Sequence, residues 1–267
     1  MNRNHLRHTL SAFVILIAIT ACVIPGPATQ PMSGSDANAV ATAVEGTARA
    51  AITQTAAAQP VPTRRTGTII EQLEDGTTRY SDYDAGFEII FPAGWLPVRP
   101  HSEEFNAALA KEGKANPMLR NYMEFDLAEY TAFDRLYAYI LRPDIEKNVL
   151  FGFTYLEWLT GDSVPIDSLS LQKEVQRVES AEGLPAFHAD TAQLLENNND
   201  VNMMEIGGPS ARNNGQGEFV TFYATIIYFK PAPDSIVRIM FGFFQEYQFE
   251  IAPDVDFIIQ SVMPIEP

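Results

Sequence analysis

The sequence predicts an α+β fold, in which an antiparallel sheet is flanked by helices, for residues 68–267. First, Glu74-Asp75-Gly76 is a turn signal between two strand-like segments and indicates a hairpin. Second, Phe87, Ile89 and Phe91 alternate with other residues, as on one face of a strand. Third, capped helical segments lie between the strands, but hairpin signals dominate. These observations favour α+β over a parallel α/β sheet.

The N-terminus predicts a secretory signal peptide over residues 1–21. Arg3 and Arg7 form a positively charged start without acidic residues, and Leu10–Ala18 is then apolar except for Ser11. This apolar run is shorter than the ~20 residues that a membrane-spanning helix needs.

The segment Ile19-Thr20-Ala21-Cys22 resembles the lipobox of bacterial lipoproteins. The resemblance implies cleavage before Cys22 and a diacylglycerol group on its sulfur. The protein would then be held at the extracytoplasmic face of the cell membrane. The alternative is an ordinary cleaved signal peptide with a chance cysteine. Cys22 is the only cysteine in the sequence, so no intramolecular disulfide can form.

Residues 22–67 predict a tether between the anchor and the folded domain. This segment is rich in Ala, Thr and Pro and has no aromatic residue, so it cannot build a hydrophobic core. Asp36 could cap a helix within it, but Gly46 and the threonines disfavour a stable one. We therefore expect a tether that is partly helical at best.

The rest of the chain predicts further helices, strands and loops in a mixed order. Pro92 ends the strand that contains Phe87, and Gly94 permits a turn that brings Trp95 back onto the sheet. Helices are predicted at 103–112, from 117 and from 168, capped by Ser102, Asn116 and Asp167, and a last helix from 253. Strands are predicted at 136–141, 149–159, 218–229 and 235–244, and loops at 197–202 and 207–217.

The order Gly86-Phe87-x-x-x-x-Pro92-x-x-Trp95, preceded by a hairpin, resembles the start of domains of the PsbP and Mog1 type. Residues 183–186 resemble the turn and strand of that family, and residues 257–262 resemble its closing helix. The resemblance implies an α/β/α sandwich over residues 68–267. It also fits a lipobox, because many proteins of this type are small bacterial lipoproteins. Residues 100–159 form a longer, more helical middle segment than the family has.

The closing helix is expected to pack on the sheet through Phe257 and Ile258. These two residues begin adjacent i,i+4 rows with Ser261 and Val262, which makes one side of the helix apolar. A helix this short is unstable alone and depends on such packing.

Charge and motifs exclude several classes of function. The sequence has 34 acidic and 18 basic residues, a formal net charge of −16, which would repel nucleic acid. We found no nucleophile elbow, Walker sequence or complete glycine-rich dinucleotide motif. His101 and His188, the latter expected in a strand, are too few for a metal site. The sequence therefore predicts no catalytic residue and no cofactor.

Two stretches are candidate binding sites. Asn198, Asp200 and Asn202 place oxygens at alternate positions, like the start of a calcium loop. However, Met203 and Pro209 stand where that loop needs glycine and glutamate, so a polar loop tip is the favoured interpretation. An aromatic run would be a recognition patch if exposed, and sheet core if buried: Phe241, Phe243, Phe244 and Tyr247.

The favoured functional hypothesis is a non-enzymatic binding or accessory domain, anchored to the membrane through Cys22. Its partner would be a protein of the cell envelope and not a nucleic acid. One alternative is a hydrolase or isomerase that uses carboxylates the sequence does not single out. The other is a module that binds calcium or a small ligand through residues 198–202 and nearby acids.

Overall fold

Two antiparallel sheets form the framework of the folded part of the chain. The computed structural model describes residues 65–141, 152–161, 164–213 and 219–265, without the side chains of residues 212, 213 and 246. The predictions for the signal peptide, Cys22 and nearly all of the tether lie outside these ranges.

The smaller sheet has the strand order β1-β2-β3-β11. Its strands are β1 (Thr68–Gln72), β2 (Thr78–Asp82), β3 (Phe87–Phe91) and β11 (Met263–Pro264). The predicted hairpin is therefore confirmed, and a short C-terminal strand pairs antiparallel with β3.

The larger sheet has the strand order β4-β5-β6-β10-β9-β8-β7. Its strands are β4 (Trp95–Val98), β5 (Asp134–Ile140), β6 (Gly152–Thr160), β7 (Thr191–Glu196), β8 (Asn202–Asn213), β9 (Phe219–Phe229) and β10 (Ser235–Phe243). Every pairing between the described strands is antiparallel, which confirms the α+β class. The chain passes from the smaller to the larger sheet at the turn of Gly94, whose φ is +90°.

The helices are α1 (Glu103–Ala115), α2 (Pro117–Ala128), α3 (Ser168–Glu179) and α4 (Gln248–Ser261). The three predicted N-caps are confirmed. Ser102, Asn116 and Asp167 each accept a hydrogen bond from the backbone N–H three residues later, at 2.8–3.0 Å. Among the helices in the described ranges, none is both long and apolar enough to cross a bilayer.

The larger sheet separates two hydrophobic cores. On one face, α1, α2 and α3 cover residues such as Tyr137 and Tyr139 of β5. On the other face, the smaller sheet and α4 cover Leu136, Ala138 and Ile140 of the same strand. The period-two alternation of β5 thus divides its side chains between the two cores. The rings of Phe87 and Phe229 meet edge to face at 5.3 Å and join the two sheets within the second core.

A buried ion pair also joins the two sheets. The carboxylate of Asp82 in β2 has no exposed surface and accepts hydrogen bonds from Arg135 Nε (2.8 Å) and Nη2 (3.0 Å) in β5. The hydroxyl of Tyr80 and the backbone N–H of Ala85 also donate to Asp82, at 2.9 and 3.0 Å. These bonds offset the cost of burying the charge.

The prediction of a loop over residues 207–217 is wrong for residues 207–213, which belong to β8. The prediction interprets glycine as a turn signal, but Gly208 is a glycine because another backbone segment packs closely against it. A Cβ atom there would lie 2.0 Å from the carbonyl oxygen of His188. His188 itself precedes β7 and is not in a strand, and its backbone N–H donates to Pro209 O at 3.2 Å.

The closing helix forms, but it begins at Gln248 and has Pro253 inside it, five residues before the predicted start. We expected two residues of this helix to pack on the sheet, and the prediction is confirmed for one and wrong for the other. Ile258 is fully buried against the smaller sheet, as expected, whereas Phe257 is 44% exposed. The sequence pattern did not distinguish between these two neighbouring rows of the helix.

We predict that Ile258→Ala lowers the free energy of unfolding by about 2–5 kcal/mol, because it leaves a cavity in a buried core. The matched change Phe257→Ala removes a half-exposed ring and should cost at most about 1.5 kcal/mol. Urea unfolding of both variants measures the difference. A larger loss for Phe257→Ala would contradict the packing of α4.

Candidate functional site

A cavity of about 390 Å³ lies on the helical face of the larger sheet. Its walls come from α2, α3, the segment after α3, and strands β5, β6, β9 and β10. The described residues that line it are Phe125, Asp126, Glu129, Thr131, Asp134, Tyr137, Tyr155, Glu157, Arg177, Val178, Glu182, Gly183, Leu184, Ile226, Tyr228, Arg238 and Met240. Its volume lies within the usual range of ~300–1,000 Å³ for small-molecule sites.

The carboxylate of Asp126 is a buried polar group in the lining of the cavity. α2 places it on the helix face that packs against the sheet, where the residue is only 3% exposed. Tyr139 donates its hydroxyl proton to Oδ2 and Tyr155 donates to Oδ1, both at 2.7 Å. These two bonds satisfy both oxygens of a group that would be costly to bury alone.

A second carboxylate, Asp134, stands opposite Glu157 in the register of β5 and β6. Burial raises the pKa of Asp134, and the negative charge of Glu157 raises it further. Hydrogen bonds act in the opposite direction. Oδ2 of Asp134 accepts one from the backbone N–H of Thr131 at 2.6 Å and lies 3.2 Å from the hydroxyl of Tyr137. The pKa nevertheless remains above its usual value.

The two guanidinium groups of the cavity have protein partners. Arg238 forms an ion pair with Glu157 across β10 and β6. Arg177 donates from Nε to Glu174 at 2.8 Å and from Nη2 to the hydroxyl of Tyr228 at 2.9 Å. Burial raises the pKa of Tyr228, so this phenol remains protonated at neutral pH.

The predicted aromatic patch does not form one exposed surface. Phe241 is fully buried and Phe243 is 3% exposed, both in the core between the two sheets. Phe243 stacks on Tyr223 with ring centroids 5.7 Å apart. Phe244 and Tyr247 are half-buried. Phe241 and Phe243 therefore belong to the sheet core, the favoured interpretation of this run, because strand alternation directs both inward.

The predicted calcium-like loop is attached to the end of α4 by hydrogen bonds from Asn198 and Asn199. The backbone N–H of Asn198 donates to the side chain of Gln260 at 2.9 Å, and Asn199 Nδ2 donates to Val262 O at 3.1 Å. Asp200 has a positive φ of 59° at the tip, and Asn202 begins β8. Within the described ranges, no three His, Cys, Asp or Glu side chains form a group that could hold a metal ion.

The two histidines lie apart from the cavity. His188 is exposed, with Nδ1 3.1 Å from Glu179 Oε1. The ring of His101 meets Tyr130 edge to face at 4.7 Å.

Sequence reasoning missed the cavity, although one signal pointed to it. Asp126 shares a face of α2 with Leu119, Tyr122 and Met123, and all four are buried. A carboxylate on the apolar face of a helix must find buried hydrogen-bond donors, so it indicates a buried polar site. The partners of Asp126 come from β5 and β6, 13 and 29 residues further on, and a single sequence does not identify them.

Comparisons with known proteins yielded structural similarities only. No protein-family model and no curated protein matches the chain. Among solved structures, the chain is similar to cyanobacterial PsbP (CyanoP) from Synechocystis, with 11% identity, a TM-score of 0.42, and coverage of 76% of this chain and 99% of that one. It is also similar to the Ran-binding protein Mog1p from Saccharomyces cerevisiae, with 10% identity, a TM-score of 0.41, and coverage of 76% and 97%.

A third similar structure is LpqN, which is involved in cell envelope biogenesis of Mycobacterium tuberculosis. The identity is 12%, the TM-score 0.38, and the coverage 74% of this chain and 90% of that one. These structures are of the type that the sequence resembles. At these TM-scores we draw no conclusion about function from them.

The raised pKa of Asp134 has a measurable consequence for stability. An aspartate with a raised pKa in the folded state is ionised less readily in the folded protein than in the unfolded chain. The free energy of unfolding therefore falls as the pH rises from about 3.8, the pKa in the unfolded chain, through the pKa in the folded state. We predict that Glu157→Gln lowers the pKa of Asp134, because it removes the facing charge and releases Arg238 from its partner. A ¹³C titration of the Asp134 carboxyl group measures this shift. An unchanged or higher pKa in Glu157→Gln would contradict it.

Proposed function

We propose that this protein is a lipid-anchored binding domain at the extracytoplasmic face of the bacterial cell membrane, and that it binds its ligand in the cavity between the helices and the larger sheet. The single observation that carries the binding role is this cavity of about 390 Å³, in which the carboxylates of Asp126, Asp134 and Glu157 are held by other residues of the protein. Fixed polar groups in a preformed cavity reduce the entropy lost on binding.

The hydrogen bonds of the carboxylates favour binding over catalysis. Asp126 accepts a phenol hydrogen bond on each oxygen, and Glu157 is bound to Arg238. A general base needs an oxygen that can reach the proton of its substrate. Groups whose oxygens already accept bonds from the protein are better placed to orient a ligand than to exchange protons with it.

A carboxylate-dependent hydrolase is the second candidate function. The observation in its favour is the facing pair Asp134 and Glu157, in which burial and like charge raise the pKa of Asp134. Such pairs occur at active sites, where one carboxyl group serves as acid and the other as base. The ion pair of Glu157 with Arg238 argues against this role, because it engages the Glu157 carboxylate with a partner inside the protein.

In this proposal, Cys22 carries the lipid anchor, and the partner of the protein is a component of the cell envelope. Two acyl chains on one residue bind a membrane stably, since each buried CH₂ adds ~0.8 kcal/mol. The acidic chain would itself be repelled by anionic lipid, so the acyl chains must supply the attachment.

We predict that the wild-type protein sediments with membranes and that Cys22→Ser is released or remains unprocessed. Fractionation and intact-mass measurement test this. The control is Ser33→Ala in the tether, which should leave both the fraction and the mass of the lipid unchanged. A diacylglyceryl mass on the mature Cys22→Ser protein would refute the anchor.

Ligand binding in the cavity is tested by thermal melting of the full chain in detergent, with and without a small-molecule extract of the cell envelope. The extract should raise the melting temperature of the wild type and not of Leu184→Trp, which fills the cavity. Leu169→Trp, the same change at a 61% exposed position outside the cavity, should respond like the wild type.

Two results would contradict this proposal. An extract that stabilises Leu184→Trp as much as the wild type would place the ligand elsewhere. Consumption of an extract component by the wild type and not by Glu157→Gln, followed by mass spectrometry, would favour the hydrolase.

A further inference from the structure

The charges around the cavity define the ligand it can accept. Five carboxylates and two guanidinium groups occur among the described residues that line it. The carboxylates belong to Asp126, Glu129, Asp134, Glu157 and Glu182. This excess of negative charge attracts cations and opposes anions, and the effect of the buried carboxylates is stronger than it would be in water.

The two arginines do not reverse this preference. Arg238 is paired with Glu157, and Arg177 is paired with Glu174, which lies outside the cavity lining. Each guanidinium therefore directs part of its hydrogen-bonding capacity to a carboxylate of the protein. An anionic ligand would have to compete with these pairs and approach the remaining carboxylates.

The other walls are aromatic. Four aromatic residues are among those that line the cavity: Phe125 and Tyr155 are half-buried, and Tyr137 and Tyr228 are buried. Tyr137 and Tyr155 meet edge to face at 5.4 Å. Aromatic faces carry negative electrostatic potential and attract ammonium or guanidinium groups. The same rings also supply apolar surface for the carbon skeleton of a ligand. Carboxylates and aromatic rings in one cavity together favour an organic cation.

A bare metal ion fits this cavity less well. The described residues contain no cluster of metal-ligating side chains, and the volume of about 390 Å³ exceeds that of an ion. Asp126 accepts two phenol hydrogen bonds, so both of its oxygens have partners.

We propose that the cavity binds a small organic cation, a molecule with an ammonium or guanidinium group on an apolar skeleton. This inference rests on the proposed binding function and identifies its ligand class. The cationic group lies near Glu129, Asp134 and Glu182, and the skeleton lies against the aromatic rings and Leu184.

The test uses three ligands of similar shape: phenethylamine, which is cationic at neutral pH, its neutral analogue 2-phenylethanol, and the anion 3-phenylpropionate. Binding to the full chain in detergent is followed by calorimetry and by NMR shifts of the cavity tyrosines. We expect phenethylamine to bind most tightly, 2-phenylethanol more weakly, and 3-phenylpropionate most weakly. Added salt should weaken the binding of phenethylamine.

Matched double variants locate the binding site. Glu129→Gln with Glu182→Gln removes two exposed carboxylates of the cavity, and Glu74→Gln with Glu250→Gln makes the same change of charge at exposed positions outside it. All four positions are exposed, so both proteins should fold. The first variant should bind phenethylamine several-fold more weakly, and the second should bind it like the wild type.

Several results would overturn the inference. They are tighter binding of 3-phenylpropionate, equal weakening by both double variants, or no binding of phenethylamine at millimolar concentration. The extract experiment distinguishes a wrong ligand class from a wrong binding function. If the extract stabilises the wild type and not Leu184→Trp while phenethylamine does not bind, the cavity is a binding site for another class of ligand. If neither binds, both proposals fail.

Discussion

The buried ion pair between Asp82 and Arg135 fixes how the smaller sheet lies on the larger one. Arg135 donates two hydrogen bonds to Asp82, and its guanidinium lies 5.1 Å from the ring centre of Trp158. A buried carboxylate that loses its partner typically destabilises a protein by about 3–5 kcal/mol. The pair adds directional hydrogen bonds between the two sheets to the non-directional hydrophobic contact of the core.

A β-bulge in β5 makes this pair compatible with the cavity on the opposite face. Asp134 pairs with Glu157 and Leu136 pairs with Leu156, so Arg135 is the extra residue between them. The bulge lets Arg135 reach the smaller sheet on the same side as Leu136, while Asp134 lines the cavity on the other side. The bulge thus places the consecutive residues Arg135 and Leu136 on one face of the sheet, and ordinary alternation places Asp134 on the other.

Local signals predicted local structure well. The caps at Ser102, Asn116 and Asp167 and the hairpin around Gly76 follow from bonds between residues close in sequence, and all were predicted. The predictions failed where distant backbone decides the conformation. Position 208 in β8 requires glycine because the backbone of His188 approaches it, and no residue adjacent to Gly208 indicates this approach. The cavity depends on the contact of α2 with β5 and β6. The sequence indicates the buried face of α2 but not the strands that this face contacts.

The buried carboxylate in the wall of the cavity needs hydrogen-bond partners that an apolar side chain would not need. Replacing a buried ion pair, or both partners of a buried hydrogen bond, with apolar groups of similar shape is often neutral or stabilising in other proteins. Asp126 lies on an apolar helix face with Leu119 and Met123, where an apolar side chain would pack against the same sheet without needing partners. The structure instead places two tyrosine hydroxyls at 2.7 Å from this carboxylate. These two bonds connect α2 to β5 and β6, so the carboxylate of Asp126 fixes the helix on the sheet at the wall of the cavity.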